Sequence, residues 1–88
     1  MADPEHFFCY IVRCNDGSYY TGWSTDPENR CKMHNLGRGA RYTRMHRPVV
    51  LVYTEELPSR SEALKREDQI KQMDRSHKEK LINGGSHG

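Results

Sequence analysis

The sequence has no long hydrophobic run, and its first residues are not expected to act as a secretory leader. No apolar stretch among the 88 residues approaches the roughly 20 that a membrane-spanning helix needs. The acidic start MADPEH lacks the basic and apolar regions of a signal peptide. Hydrophobic residues make up 34% of the chain and the mean hydropathy is −1.00, which predicts one soluble domain with a small core.

Cysteine is scarce as well. The three cysteines, Cys9, Cys14 and Cys31, are odd in number and match no zinc-binding spacing. Free thiols in a reducing compartment are the simplest interpretation. We therefore expect a cytoplasmic protein that does not associate with membranes.

Acidic residues are absent from one long segment. The formal net charge is only +2, yet residues 30–47 contain no aspartate or glutamate. The basic side chains of this segment are Arg30, Lys32, His34, Arg38, Arg41, Arg44, His46 and Arg47. A block of one sign inside a nearly neutral domain is typical of a surface that faces phosphate groups. The alternative is a solvated basic loop.

Strands and helices are predicted in the order β-β-α-β-α-α. Segments rich in aromatic and β-branched residues predict strands at residues 7–14, 18–24 and 49–56. Helices are predicted at residues 27–36, at 60–73, and from residue 74 or 76 into the fraying GGSHG end. This order predicts an α+β fold, a three-stranded antiparallel sheet flanked by helices. The single domain is expected to span residues 7–82, between flexible tails at 1–6 and 83–88.

Capping residues support the first two helices. Asp26 followed by Pro27 is typical of a helix start, and Gly37 favours a left-handed end to the same helix. Ser59 and Glu62 have the spacing of a capping box. Residues 37–48, rich in glycine and arginine, are predicted to form a loop.

The stretch CYIVRCNDGSYYTG allows two hairpin registers. A two-residue Asp-Gly loop would put Tyr10 and Tyr20 on opposite faces. A three-residue loop with Gly17 in a left-handed bulge would pair Tyr10 with Gly22 and place both tyrosines on one face. We favour the second register because Gly22 then leaves space for the Tyr10 ring. Ordinary packing is the alternative role for strand tyrosines.

Two predicted helices carry polar residues at informative positions. Arg30 and His34 are four residues apart and share one face of the first helix. Glu67 lies within an apolar stripe formed by Ala63, Leu64, Ile70 and Met73. A carboxylate on a core-facing stripe is costly unless a cation pairs with it, either an arginine or a metal ion. Magnesium is often held by one carboxylate with water and phosphate oxygens; an ion pair at the edge of the stripe is the alternative.

These positions together resemble the GIY-YIG nuclease domain. Its two tripeptides correspond to Cys9-Tyr10-Ile11 and Tyr20-Thr21-Gly22, and Arg30, His34 and Glu67 follow at matching positions. The similarity covers about residues 7–75. The stretches HNLGRGARYTR and LPSRSEALKRE resemble the small stand-alone bacterial members.

The resemblance implies a metal-dependent endonuclease that hydrolyses phosphodiester bonds in DNA with Mg²⁺ or Mn²⁺. By position, Tyr10 and Tyr20 would line the site near the attacking water, and Tyr10 is favoured on the base side. Arg30 would contact the scissile phosphate, and His34 would assist proton transfer or orient a tyrosine. Glu67 would bind the divalent ion. Forming a tyrosinate at pH 7 costs about 4 kcal/mol, which a nearby arginine or proton transfer to His34 would reduce.

The sequence departs from the family pattern at a few positions. Cys9 replaces the glycine of the first tripeptide and Thr21 replaces the isoleucine of the second, while Gly22 keeps its structural role at the site. Both replacements are conservative for the backbone. The asparagine that some relatives carry after the glutamate has no counterpart near residues 75–80, since Asn83 falls in the fraying end.

The segment 37–47 is the predicted substrate surface. The side chains expected to bind phosphates are those of Arg38, Arg41, Arg44 and Arg47. Their affinity would be sensitive to salt and mostly independent of sequence. Tyr42 would stack on an unpaired base, whereas Trp23 and Tyr53 are expected to be packing residues.

No segment resembles a helix that reads the major groove. A structure-directed or weakly specific enzyme of DNA repair or processing is therefore favoured, with branched, nicked or single-stranded DNA as its partner. The alternative is a catalytically silent nucleic-acid-binding module that retains the fold. A purely structural or protein-interaction domain would leave Glu67 and the basic segment unexplained.

Overall fold

The computed structural model describes residues 6–85, in which β1 is the central strand of a three-stranded antiparallel sheet ordered β2-β1-β3. The strands are β1 (Phe7–Arg13), β2 (Tyr19–Ser24) and β3 (Val50–Leu57). The helices are α1 (Pro27–Asn35), α2 (Arg41–Met45), α3 (Arg60–Lys71) and α4 (Arg75–Gly85). The α+β class and the antiparallel three-stranded sheet are confirmed.

The β1–β2 hairpin adopts the three-residue loop. Gly17 has a φ of 87°, and its backbone N–H donates to the Cys14 carbonyl at 2.9 Å. Tyr10 is paired with Gly22 and Val12 with Tyr20, as the favoured register predicts. Both site tyrosines therefore lie on the same face of the sheet.

The predicted caps of α1 and α3 are present. The Asp26 carboxylate accepts a hydrogen bond from the Asn29 N–H at 3.1 Å. Gly37 follows α1 with a φ of 82°, which a residue with a side chain rarely adopts. Ser59 accepts from the Glu62 N–H at 3.2 Å.

The prediction that residues 37–48 form a loop is wrong in one part. Residues Arg41–Met45 form α2, a short helix whose buried residue is Thr43. Its N-cap is Ala40, which has no side-chain oxygen to cap the helix, so the sequence carries no start signal there. The contacts of α2 with α1 and the burial of Thr43 stabilise this turn, rather than local propensity.

Two small cores lie on opposite faces of the sheet. One contains Cys9, Ile11 and Tyr53 packed against Ile70 of α3. The other contains Tyr10, Val12, Cys14 and Val49, with Tyr20, Cys31 and Leu51 packed against it. All three cysteines are free thiols, as predicted.

The apolar stripe of α3 is narrower than predicted. Ala63 and Ile70 are fully buried, but Leu64 is 43% exposed and does not contribute to the core. Ala63 and Ile70 are seven residues apart, so a single line of the helix faces the sheet, and Leu64 lies about 100° away from it. Glu67 lies between them in sequence, about 40° from Ala63 around the helix, at the edge of this buried line.

Helix α4 continues to Gly85, so it includes residues 83–85 of the tail predicted at 83–88. The domain span of residues 7–82 remains a prediction. Residues 1–5 and 86–88 of the predicted tails lie outside the described residues. Across residues 6–85, every helix is too short or too polar to cross a bilayer.

Candidate active site

One cleft of about 480 Å³ brings together seven of the eleven site residues predicted from the sequence, whereas Arg41, Tyr42, Arg44 and Arg47 are not among the residues that line it. Both tyrosines of the hairpin line it. The candidate site residues that line it are Tyr10, Tyr20, Gly22, Arg30, His34, Arg38 and Glu67. They come from both strands of the hairpin, from α1 and the turn after it, and from α3, so positions far apart in sequence meet in one concave site.

A buried hydrogen-bonded chain crosses one side of the cleft. The Tyr10 hydroxyl lies 2.9 Å from Nε2 of His34, and Nδ1 of His34 lies 2.7 Å from Oγ1 of Thr43. Thr43 Oγ1 also donates to the Ala40 carbonyl at 2.9 Å. Tyr10 is 3% exposed, His34 1% and Thr43 0%, so these side chains form their hydrogen bonds away from bulk water.

Burial keeps the Tyr10–His34 pair neutral. Desolvation lowers the pKa of His34, and the nearby Arg30 cation lowers it further. Desolvation raises the pKa of Tyr10, and the neighbouring Tyr20 adds to this. A neutral imidazole beside a neutral phenol has one nitrogen able to accept a proton, so the pair can move a proton without beginning from a charged state.

Gly22 makes room for this pair. A Cβ atom at this position would lie 2.6 Å from the Tyr10 hydroxyl oxygen, closer than van der Waals contact allows. The predicted structural reason for a glycine opposite Tyr10 is therefore present. Any side chain at residue 22 would push Tyr10 away from His34.

Tyr20 is less buried than Tyr10 and makes aromatic contacts. Its ring meets the edge of the His34 ring with centroids 5.5 Å apart, and it lies nearly parallel to the Tyr42 ring at 6.3 Å. Tyr42 in turn stacks on His46 at 4.3 Å and donates its hydroxyl hydrogen to Ser18 at 2.6 Å. Tyr42 thus joins α2 to the hairpin while 41% of it stays exposed.

Glu67 is the sole acidic residue among the described residues that line the cleft. Its side chain is 17% exposed, and Oε2 lies 3.4 Å from the half-exposed Lys71 ammonium group. The sequence allowed for an ion pair at the edge of the stripe, and this is such a pair. Because the lysine end of this pair is half-exposed to solvent, Lys71 can be exchanged for another cation.

The Glu67 carboxylate is a suitable protein ligand for a hard divalent cation such as Mg²⁺. Within residues 6–85 no three histidine, cysteine or acidic side chains are grouped as a metal site. An ion at Glu67 would therefore take its other ligands from water and from a bound phosphate, which is usual for Mg²⁺. The residues of the cleft are compatible with this ion and with the chemistry expected of it.

The arginines of residues 30–47 lie in different parts of the structure, some in the cleft and one at the end of α1. Arg30 and Arg38 line the cleft. Arg47 instead donates from Nη1 to the Asn35 carbonyl at the end of α1 (3.3 Å) and from Nε to the Arg44 carbonyl (3.2 Å). A cation at a helix C-terminus stabilises that helix, so Arg47 has a structural role that the sequence did not predict.

Tyr53 and Trp23, which the sequence predicted to be packing residues, differ in their surroundings. Tyr53 is 6% exposed within the core, as predicted. Trp23 packs with Phe7, with ring centroids 6.5 Å apart, and carries the Arg60 guanidinium 5.4 Å from its ring centroid. Trp23 also lines the cleft, so it contributes a wall of the site as well as packing.

Two residues beside His34 were missed by the sequence analysis. Thr43 bonds to the imidazole, and a Cβ atom at Gly39 would overlap the same ring nitrogen. Neither residue is related to His34 by a helix or strand period, because the chain turns back after α1 to reach the ring. A glycine and a threonine within a basic segment were the only available signal.

The fold and the cleft define a small α+β protein with a polar, concave candidate site. The family model of the GIY-YIG catalytic domain matches residues 6–81, which is almost the whole chain. The chain belongs to the GIY-YIG family, a nuclease superfamily. This confirms the resemblance found in the sequence.

Relatives of similar length carry the same domain. A UPF0213 protein of Staphylococcus saprophyticus is 54% identical over 81 residues, covering 92% of this chain and 99% of the relative. A UPF0213 protein of Halobacterium salinarum is 51% identical over 73 residues, covering 83% and 95%. These coverages show that the relatives are small single-domain proteins.

Two solved structures share the fold. The solution NMR structure of a UPF0213 protein from Bacillus halodurans has a TM-score of 0.57 and 44% identity, covering 89% of this chain and 83% of that chain. The NMR structure of a protein from E. faecalis has a TM-score of 0.63 and 38% identity, covering 100% and 94%. The architecture is therefore shared within the group.

Proposed function

We propose that this protein is a metal-dependent endonuclease that hydrolyses phosphodiester bonds in DNA. The observation that carries the proposal is the buried Tyr10–His34 hydrogen bond in a cleft that also contains Arg30 and Glu67. Hydrolysis requires an activated water, neutralised phosphoryl oxygens and assistance to the leaving oxygen. The cleft offers a residue for each requirement.

Water activation is assigned to Tyr10 and His34. Tyr10 accepts a proton from the attacking water while its own hydroxyl proton passes to Nε2 of His34, 2.9 Å away. Because the phenol oxygen stays neutral, the cost of about 4 kcal/mol for tyrosinate at pH 7 is avoided. Tyr20, half-buried at the edge of the His34 ring, orients this pair beside the water.

Arg30 is assigned to the scissile phosphate. Desolvation lowers the pKa of His34 in the free protein, and the Arg30 cation lowers it further. A phosphate bound to Arg30 would offset that positive charge and make His34 a better proton acceptor. Substrate binding therefore prepares the base as well as positioning the reacting bond.

Glu67 is assigned to the divalent ion. When bound, Mg²⁺ or Mn²⁺ would neutralise charge on the phosphoryl and leaving oxygens. The Lys71 partner of Glu67 is half-exposed, so it can withdraw to leave the carboxylate for the ion.

The basic segment is assigned to the DNA backbone. Arg38 within the cleft and the exposed Arg41 and Arg44 would contact phosphates, while Arg47 would add charge from the end of α1. Tyr42, 41% exposed, would exchange its stacking contact with His46 for an unpaired base. We propose that the enzyme acts in the cytoplasm, in DNA repair or processing, on nicked, branched or single-stranded DNA.

A cleavage assay tests the proposal. Purified protein is incubated with nicked, flap, single-stranded and supercoiled DNA, with Mg²⁺ or Mn²⁺ and then with EDTA. Nicking should require the metal and should be lost in Glu67→Gln and Arg30→Ala, while DNA binding should survive in Glu67→Gln.

Matched controls come from exposed neighbours on α3. Asp68→Asn removes an adjacent acid outside the cleft, and Lys65→Ala removes an exposed cation; both variants should cleave at the full rate. Cleavage at the full rate in Glu67→Gln would contradict the metal assignment. DNA binding without cleavage of any substrate would instead support the catalytically silent nucleic-acid-binding module.

A further inference from the structure

Thr43 occupies the side of the His34 ring opposite Tyr10. Its hydroxyl oxygen lies 2.7 Å from Nδ1 and 2.9 Å from the Ala40 carbonyl oxygen, and the residue is fully buried. Its position determines where the proton of the imidazole lies.

The Thr43 hydroxyl group can donate only one hydrogen bond, and this favours one direction for its hydrogen bond with His34. A hydroxyl has one hydrogen to donate, and helical threonines commonly donate it to a carbonyl in the preceding turn. Thr43 has such an acceptor in Ala40. Its oxygen is then left to accept a hydrogen bond, and the only group His34 can offer there is an N–H at Nδ1.

We propose that Thr43 is a positioning residue that holds His34 as the tautomer protonated on Nδ1, so that Nε2 is free to take the proton of Tyr10. The opposite tautomer would place a hydrogen on Nε2, and His34 would then donate to Tyr10 and accept nothing from it. The catalytic consequence rests on the proposed function, whereas the tautomer itself does not.

The position of Gly39 independently supports the assignment of a proton to Nδ1 of His34. A Cβ atom at this position would overlap Nδ1 of His34, so the backbone of residue 39 covers the same edge of the ring that Thr43 contacts. His34 is only 1% exposed, which leaves no route for bulk water to replace Thr43 as the acceptor. The segment 39–43 therefore fixes both the orientation and the tautomer of the imidazole.

The proposed step balances in protons and bonds. The water oxygen forms a bond to phosphorus as its O–H proton moves to Tyr10 and the Tyr10 proton moves to Nε2. The bond from phosphorus to the leaving oxygen breaks, and that oxygen takes a proton from solvent. His34 then returns its proton through Tyr10 to solvent, while Thr43 holds the Nδ1–H throughout.

Nitrogen NMR of the imidazole tests the tautomer without any cleavage. The protein is labelled with ¹⁵N, two-bond ¹H–¹⁵N correlations are recorded near neutral pH, and the His34 signals are assigned by their loss in His34→Gln. We expect the Nδ1–H pattern in the wild type and in Thr43→Ser, and its loss in Thr43→Val. An Nε2–H pattern in the wild type would overturn the proposal, as would an unchanged pattern in Thr43→Val.

Kinetics test the consequence for the proposed nuclease. Thr43→Val should lower kcat about 100-fold, within the range of a general-base contribution, with KM and DNA binding unchanged, and Thr43→Ser should restore most of the rate. Thr54→Val, at an exposed threonine of β3, is the control and should cleave normally. Full cleavage by a folded Thr43→Val protein would overturn the proposal. If the wild type cleaves no DNA, the proposed function fails, and the NMR experiment still decides the role of Thr43.

Discussion

Two tyrosines of the sheet, Tyr10 on β1 and Tyr53 on β3, are buried to nearly the same degree, at 3% and 6% exposure. They differ in the partner of the hydroxyl group. Tyr53 donates to Oε1 of Glu55 at 2.8 Å, and the same oxygen accepts from Nε of Arg66 at 3.0 Å. Tyr10 meets Nε2 of His34 at the edge of the cleft.

The two partners give the two hydroxyl groups different chemistry. Desolvation raises the pKa of both tyrosines, to about 12 for Tyr53, where the Glu55 carboxylate adds to the effect. Glu55 is paired with Arg66 and is not among the residues that line the cleft, whereas Nε2 of a neutral His34 has a lone pair that can accept the Tyr10 proton. Burial alone therefore does not identify a catalytic tyrosine; the acceptor and the access to the cleft do.

Of the substitutions considered, Tyr10→Phe should reduce cleavage the most while changing stability little. Removing the hydroxyl group removes the proton path to His34, so cleavage should fall by about 10²–10⁴-fold, while stability changes by about 1 kcal/mol. The measurements are the cleavage rate on the preferred DNA and the free energy of unfolding. Retention of the full rate would show that Tyr10 is a packing residue like Tyr53.

The sequence predicted the parts of this site that depend on local rules. The hairpin register follows from Gly17 at the turn and Gly22 opposite Tyr10, since both positions have a steric requirement that only glycine meets without strain. The position of Glu67 at the edge of the buried line of α3 follows from helical periodicity. These interactions are set by neighbours within one element or one hairpin.

The parts that were missed depend on tertiary contacts. Helix α2 has no capping side chain and is stabilised by packing against α1. Thr43 bonds to His34 because the chain reverses after Gly37, and no periodic rule connects residues 34 and 43. Leu64 matched the predicted stripe, yet it is 43% exposed, because the width of the buried stripe depends on how closely α3 approaches the sheet.

Gly22→Ala should disturb Tyr10 without removing its hydroxyl group. The new Cβ atom would lie 2.6 Å from the Tyr10 oxygen, so the ring must move away from His34. We expect at least a tenfold loss of cleavage and a destabilisation of about 1–3 kcal/mol, typical of overpacking.

Gly84→Ala is the matched control for this substitution. Its Cβ atom would meet nothing within 4 Å, and alanine in a helix is favoured over glycine by about 0.5–1 kcal/mol. This variant should be slightly stabilised and fully active. If Gly22→Ala were equally harmless, Tyr10 would not need its present position.

The pH dependence of cleavage should report the imidazole partner of Tyr10. Desolvation, and then Arg30, lower the pKa of His34 below its usual value near 6.5, and the proposed base must be neutral. The value of kcat/KM should therefore be flat down to about pH 6.5. It should fall only at lower pH, as His34 of the free enzyme becomes protonated.

Protonation of His34 also affects stability. Because the pKa is lower in the folded state, the stabilising contribution is present above about pH 6.5 and is lost as the pH falls through the folded-state value. His77→Gln, at a side chain that is 67% exposed, should leave the pH profile of cleavage unchanged. A fall in kcat/KM that begins above pH 6.5 would contradict this assignment.

Tyr53→Phe should have a smaller effect on cleavage than the substitutions at Tyr10 and Gly22. It removes the hydrogen bond to Glu55, but Glu55 keeps its bond to Arg66, so no buried carboxylate is left unpaired. The expected cost is about 1 kcal/mol, or about 4–8 °C in Tm for a domain of this size, with cleavage unchanged. A loss of cleavage comparable to that of Tyr10→Phe would mean that burial of a sheet tyrosine, rather than its imidazole partner, determines activity.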